Sequence, residues 1–129
     1  MKFLGACSMF VLGSLAPLSL MGEPLKNFDL ALAQQVAQAS FVCAKAKGIS
    51  ISVAIVNAEG NLIVFFRDDK AYVGSISASM EKARSANAFR RPTSAFTQSI
   101  KDGRVELLSI KDIVAVPGGV PVEMAGQFV

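Results

Sequence analysis

The spacing of apolar residues predicts a long helix over residues 24–47. Apolar side chains recur three or four positions apart, which places them on one helical face: Leu30, Ala33, Ala37, Phe41 and Ala44. Pro24 suits a first helical turn, and Asn27 or Asp29 suits the cap or the charge at the N-terminus. Gly48 follows the pattern and favours the left-handed conformation that ends many helices.

The period then changes from 3.6 to 2, which predicts a β-hairpin. In residues 49–57 the large apolar side chains alternate with smaller ones and fall on one face: Ile49, Ile51, Val53 and Ile55. Residues 58–61 are typical of a turn, and residues 62–67 form a second apolar run. We expect an antiparallel pair in the centre of the domain, covered by helices on at least one side.

A second helical pattern begins at Gly74–Ser75, with Ser75 as the predicted N-cap. Pro92 stops this helix, because a proline disfavours helical angles in the residue before it. Thr93 is then predicted to cap a shorter helix that runs to about Lys101.

The C-terminal part has a mixed pattern. Residues 107–113 fit either a helical turn or a strand, and residues 114–122 predict a short apolar strand around the Gly118–Gly119 loop. Residues 125–127 resemble a hairpin turn, and only two residues follow them, so the second strand of this hairpin is expected to be missing. Helices and antiparallel strands in this order predict an α+β domain.

The N-terminal segment has the features of a secretory signal peptide. Met1–Lys2 is positive, residues 3–21 carry no charge, and polar sequence returns at Gly22–Pro24. We therefore predict a signal peptide over residues 1–22, a domain over residues 23–129, and a periplasmic or secreted protein. Two alternatives are an uncleaved membrane anchor and a lipoprotein signal, since Leu4–Cys7 resembles a lipobox.

Composition narrows the classes of function. The chain has 129 residues, which fits one domain, and its net charge of +3 is too small for a dedicated nucleic-acid binder. It contains no histidine, which removes the commonest general base and the commonest haem ligand. No phosphate-binding glycine motif, zinc motif or nucleophile elbow is present.

The remaining candidates for chemistry each have a structural alternative. Arg90–Arg91 can bind carboxylate or phosphate, or can be solvated charges at a helix end. Gly118–Gly119 can present backbone N–H groups to an anion, or can form a tight turn. Asp68–Asp69 suits a divalent cation or a polar hairpin end. Met80 and Tyr72 can ligate haem iron, or can be a core methionine and a half-buried tyrosine.

Read together, three stretches resemble the haem-binding GlcG/HbpS family, also called the haem-degrading or PduO C-terminal-like domain. The first stretch is the hairpin over residues 51–67, with Asn57–Asn61 as its turn. The second runs from Gly74 to Thr93 and ends in the motif Phe-Arg-Arg-Pro-Thr. The third is the Pro-Gly-Gly-Val-Pro-Val segment over residues 117–122. The likeness extends from Leu25 to about Gln127.

The resemblance implies an antiparallel sheet flanked by helices in a profilin-like two- or three-layer arrangement, and assembly into homo-oligomers. It implies haem, a related tetrapyrrole or another acidic small molecule as the ligand. The site residues that it implies are Phe89, Arg90, Arg91, Pro92, Thr93 and Phe96, with Gly118 and Gly119 as the opposing loop. The arginines would pair with propionates, Phe89 or Phe96 would pack on the ring, and Thr93 would offer an oxygen.

Two departures from the family pattern matter. The family continues with a Gly-rich apolar strand and a final helix, which this sequence lacks, so we expect a C-terminally incomplete domain. The second departure is the absence of histidine, so any axial ligand of a bound haem iron must be oxygen, sulfur or water. The predicted function is non-catalytic binding of a tetrapyrrole by an exported protein, without nucleic acid and without stable membrane insertion after cleavage. The alternatives are a haem-degrading enzyme and a structural module whose open sheet edge recruits a partner strand.

Overall fold

The structure is a computed structural model that describes residues 28–129. The predicted signal peptide and Pro24 lie outside the described residues. The elements are α1 (Leu30–Ala46), β1 (Ser52–Val56), β2 (Leu62–Arg67), α2 (Ser75–Phe89), α3 (Thr93–Lys101), a 3₁₀ helix (Val105–Ser109), β3 (Glu123–Met124) and β4 (Gln127–Phe128). This mixture confirms the predicted α+β class.

Helix α1 follows its predicted amphipathic pattern. The Asp29 carboxylate, one of the two predicted caps, accepts a hydrogen bond from the Leu32 N–H at 2.9 Å. Ala33 and Ala37 are fully buried and form a core with Val64 of β2. The small alanine side chains let α1 approach the sheet closely, which explains why the helix buries these positions.

Strands β1 and β2 pair in the predicted antiparallel hairpin. The register sets Val53 opposite Phe66 and Ile55 opposite Val64, and all four side chains pack in the α1 core. Strand β2 has its predicted bounds, whereas β1 begins three residues later than predicted. The turn is fixed by the Asn57 side-chain oxygen, which accepts a hydrogen bond from the Asn61 N–H at 2.8 Å.

Helix α2 runs along the other face of β1. The hydroxyl oxygens of Ser52 and Ser75 lie 2.6 Å apart at one end, and the Asn87 amide donates to the Ala58 carbonyl at 3.0 Å at the other end. Because adjacent strand residues point to opposite faces, Ser52 points away from the α1 core. The hairpin therefore lies between α1 and α2. The predicted cap was wrong by one residue: Gly74 takes the cap position, and the Ser75 hydroxyl donates to the Tyr72 carbonyl.

The junction of α2 and α3 forms where Pro92 was predicted to stop the helix. Helix α2 ends at Phe89, and Arg90 adopts the left-handed conformation with φ of 50°. The second predicted cap was wrong, since extended Pro92 takes the cap position of α3 and the Thr93 side chain makes a tertiary contact instead.

The predicted apolar strand over residues 114–122 is absent from the described residues. Side chains of the two helices hold this segment: the Ser85 hydroxyl accepts from the Val114 N–H at 3.0 Å, and the Thr97 hydroxyl donates to the Ala115 carbonyl at 2.9 Å. The expected hairpin turn is present at Ala125–Gly126. After this turn the two residues of β4 pair with the two residues of β3.

Candidate functional site

Three of the predicted site residues meet at the α2–α3 junction. The rings of Phe89 and Phe96 pack edge to face, with centroids 5.4 Å apart and an angle of 78° between their planes. The Arg91 guanidinium carbon lies 4.6 Å from the centroid of the Phe96 ring. Phe96 is only 2% exposed, so its packing is already complete inside the protein. Phe89 and Phe96 were both predicted to pack on the ring of a ligand. Only Phe89, which is half-buried, has accessible surface for such a contact.

Arg90 points its charge toward a different aromatic ring. Its guanidinium carbon lies 5.5 Å from the centroid of the Phe128 ring, at the end of β4. Phe128 is 38% exposed and was not predicted as a site residue. The only sequence signal for it was an aromatic residue just after the predicted hairpin turn. Arg90, Arg91 and Phe89 at the α2–α3 junction, together with Phe128, are partly or fully exposed, and we call this set of cations and rings the arginine surface.

Thr93 and Gly119 form a buried joint between α3 and the glycine loop. The Thr93 hydroxyl donates to the Val116 carbonyl at 2.7 Å and accepts from the Gly119 N–H at 3.0 Å. The Thr93 N–H donates to the Gly119 carbonyl at 3.0 Å, and Thr93 has no exposed surface. To offer its oxygen to a ligand, as predicted, Thr93 would have to release this loop.

The glycine loop also contacts Lys82 of α2, which lies within the second stretch of the resemblance but is not one of the predicted site residues. A Cβ atom at Gly119 would lie 2.8 Å from the Lys82 carbonyl carbon and 2.8 Å from Thr93 Cγ2. Beside it, the Lys82 ammonium donates to the Pro117 carbonyl at 3.4 Å and lies against Gly118. Because the Gly119 N–H is bonded to Thr93, it is not free to bind an anion in this conformation. Exposed Pro92, the remaining predicted site residue, sets the bend that separates this joint from the arginine surface.

A cavity of about 160 Å³ lies between the helices, the glycine loop and the edge of β1 that faces away from β2. Small-molecule pockets usually have volumes of roughly 300–1,000 Å³, so this cavity is too small for a tetrapyrrole. Its lining includes Lys82, Gly118 and Gly119 but none of the residues of the arginine surface. The eight predicted site residues are thus divided between two neighbouring regions.

The remaining residues predicted as candidates for metal or haem binding have structural roles or are exposed to solvent. The Asp68 carboxylate accepts from the Lys70 N–H at 2.8 Å, as expected at a hairpin end. Tyr72 is 88% exposed, so the predicted half-buried position was wrong. Within residues 28–129, no three His, Cys, Asp or Glu side chains lie together as metal ligands. In the same range, no helix combines the length and apolar character needed to cross a membrane.

Comparison with known proteins places the chain in a family. Residues 28–129 match the family model described as haem degrading protein HbpS-like. Protein GlcG of Escherichia coli K12 is 30% identical over 102 residues, which are 76% of each chain. The crystal structure of a double mutant of Streptomyces reticuli HbpS matches with a TM-score of 0.71 and 28% identity, over 90% of this chain and 81% of that chain.

A more distant match concerns the fold alone. The crystal structure of a PduOC haem complex has a TM-score of 0.69 and 22% identity, over 78% of this chain and 76% of that chain. The family model and the GlcG match confirm the predicted resemblance to the GlcG/HbpS family. The chain belongs to the HbpS-like family.

Proposed function

We propose that this protein binds haem or a related tetrapyrrole on the arginine surface. The observation that carries the proposal is the pair of guanidinium groups at one helix junction, each held over an aromatic ring. Guanidinium groups bind carboxylates with two parallel hydrogen bonds, and a tetrapyrrole carries carboxylates beside a flat apolar ring. Family membership supports this ligand class, since the family model is described by haem chemistry and one protein of the same fold is a haem complex.

The residues present fit the carboxylate end of such a ligand. Arg90 is exposed and Arg91 is partly exposed, so both can turn from their rings to propionates. Phe89 and Phe128 offer accessible aromatic surface to the macrocycle. The ligand would lie on the surface, because the neighbouring cavity of about 160 Å³ cannot enclose it.

In this proposal the haem iron contributes less to the binding affinity than the carboxylates do. The chain contains no histidine, so a bound haem would take oxygen, sulfur or water as axial ligand. Metal-free protoporphyrin should therefore bind nearly as tightly as haemin. This comparison separates recognition by the arginine surface from recognition through iron.

The function that we propose is binding without catalysis, in a homo-oligomeric protein exported to the periplasm or the medium. Support for export comes from the sequence of residues 1–22. A second candidate, haem degradation, is favoured by the description of the family. The two candidate functions predict different results when a reductant and oxygen are added to the haem-loaded protein. A binding protein keeps the haem absorbance, whereas a degrading enzyme removes it.

The test is a titration of the purified protein with haemin and with protoporphyrin. We expect a saturable shift of the haemin Soret band, with affinity reduced about tenfold in an Arg90→Ala/Arg91→Ala variant, since two exposed charge pairs are worth about 1.4 kcal/mol together. The control is Lys101→Ala/Arg104→Ala, which removes the same charge from the last residue of α3 and from the loop that follows it. The absence of a saturable shift, or equal losses in the two variants, would refute the proposal.

A further inference from the structure

The segment between α3 and the glycine loop exposes apolar side chains on its 3₁₀ helix. Val105 and Leu108 are 62% and 66% exposed, and Ile110, which follows the helix, is exposed as well. Side chains three residues apart are aligned in a 3₁₀ helix, so Val105 and Leu108 form one apolar ridge. Leu107, between them in sequence, is buried and anchors the segment to the rest of the protein.

Hydrogen bonds fix the backbone under this ridge. The Arg104 N–H donates to the Ser99 carbonyl of α3 at 3.0 Å, and the Leu107 N–H donates to the Arg104 carbonyl at 3.2 Å. The Ser109 hydroxyl donates to the Glu106 carbonyl at 2.7 Å. The ridge is therefore in place before a partner arrives, which reduces the entropy lost on binding.

Charged residues flank the ridge at both ends in the same order. Lys101 and Asp102 precede it. Lys111 and Asp112 follow it. All four are exposed, and none of them forms an ion pair within residues 28–129. Residues 101–112 together carry three cations and three anions, so this surface has no net charge to attract an anionic membrane or a nucleic acid.

This order of charges is complementary to itself under a two-fold axis. In a two-fold interface, a contact of one residue with a second residue of the other copy is repeated with the roles exchanged. An axis through the middle of the ridge sets Val105 of each copy beside Leu108 of the other. The charged positions are also equally spaced about this point in sequence, so each cation at one end is opposed by an anion of the other copy: Lys101 by Asp112, and Lys111 by Asp102. Ridges that run in the same direction would instead oppose like charges, which is unfavourable.

We propose that residues 101–112 bind a second copy of this chain, ridge against ridge, in an antiparallel two-fold interface. The segment is shorter than the roughly 20–30 residues that each partner contributes to a standard interface, so we expect a weak and reversible dimer. This inference rests on the homo-oligomer of the proposed function and names a surface for it, but it does not depend on the ligand. No residue of the segment belongs to the arginine surface or lines the cavities beside β1.

The first test reverses charges at the two ends of the ridge. In a dimer of Asp102→Lys each substituted position faces Lys111, and in a dimer of Lys111→Asp it faces Asp102. Each variant alone should dimerise at least about tenfold more weakly than the unchanged protein in sedimentation equilibrium, because the symmetry repeats each repulsion. An equimolar mixture of the two variants should form a heterodimer about as stable as the unchanged dimer, since all opposed charges again differ in sign.

The mixture also controls for local effects of the substitutions. Asp102→Lys removes the hydrogen bond from the Gln98 amide to the Asp102 carboxylate, and this bond stays absent in the heterodimer. Recovered association therefore reports the opposed charges alone. A mixture that associates no better than either variant, as read by native mass spectrometry, would overturn the proposal.

The second test changes the apolar ridge. Val105→Glu should weaken the dimer at least about tenfold, because it places two carboxylates beside the axis. The matched control, Val42→Glu, alters a valine of similar exposure (58%) on α1 and should leave the dimer unchanged. Both positions are exposed, so both variants should stay folded by circular dichroism. Equal effects of the two glutamates, or an unchanged protein that is monomeric at every concentration, would refute the interface. Haemin affinity, which reports the arginine surface, should be the same in Val105→Glu and in the unchanged protein.

Discussion

The joint between α3 and the glycine loop predicts a large effect of one added methyl group. Gly119→Ala places a Cβ atom 2.8 Å from Thr93 Cγ2 and 2.8 Å from the Lys82 carbonyl carbon, and still closer to the Lys82 carbonyl oxygen. Two of these three atoms belong to the backbone of α2, which cannot turn aside as a side chain can. The loop must therefore move away from the helices.

The free-energy change can be worked from the contacts that this movement breaks. Forcing extra atoms into a packed site costs about 1–3 kcal/mol. Moving the loop also weakens the hydrogen bonds of the Thr93 hydroxyl to the Gly119 N–H and the Val116 carbonyl, which contribute about 1 kcal/mol each. We expect Gly119→Ala to lower the free energy of unfolding by about 3 kcal/mol, which is a large part of the stability of a small domain.

The assay is urea unfolding followed by circular dichroism, with Gly74→Ala as the matched control. Gly74 has helical angles (φ −62°, ψ −16°), and a Cβ atom there meets nothing within 4 Å. This control should be neutral or raise stability by about 0.4–1 kcal/mol, because alanine restricts the unfolded chain. If both variants unfold at the same urea concentration, the buried joint does not exist as described.

Two further comparisons test the α2–α3 junction by the same unfolding measurement and by protoporphyrin titration. Arg90 has φ of 50°, a left-handed conformation that strains any residue with a Cβ atom. Both Arg90→Gly and Arg90→Ala lose the cation, but only glycine avoids this strain, so Arg90→Gly should be about 1 kcal/mol more stable than Arg90→Ala. Equal stability of the two variants would contradict the left-handed cap. Phe96→Ala should cost about 3 kcal/mol of stability, because Phe96 is buried. Phe128→Ala should lower the free energy of unfolding by less than about 1 kcal/mol, since Phe128 is partly exposed. It should nevertheless weaken protoporphyrin binding. A larger loss of stability in Phe128→Ala than in Phe96→Ala would refute the assignment of Phe96 to the core and Phe128 to the surface.

The regular elements were the part of the fold that local sequence could predict. The alanine stripe of α1, the alternation before Gly60 and the proline at 92 each encode structure within a few residues. The segment over residues 114–122 could not be predicted in the same way. Its apolar composition favours a strand, but hydrogen bonds from Ser85 and Thr97, on different helices, determine its path.

The candidate site was predicted as a set of residues and not as a geometry. Arg91 and Thr93 are two positions apart in one motif, yet the Arg91 side chain is partly exposed and Thr93 is fully buried. Phe128 reaches Arg90 only because β4 folds back on β3, a tertiary arrangement that two-residue strands hardly signal. Contacts between distant segments thus decide which members of the motif a ligand can reach.

If Arg90 and Arg91 recognise the carboxylates of a tetrapyrrole, esterifying those carboxylates should weaken binding. Haemin and haemin dimethyl ester share the ring and the iron but differ in charge. The unchanged protein should bind haemin about tenfold more tightly than the ester, whereas Arg90→Ala/Arg91→Ala should bind both alike. Equal affinity of the unchanged protein for the acid and the ester would contradict the account.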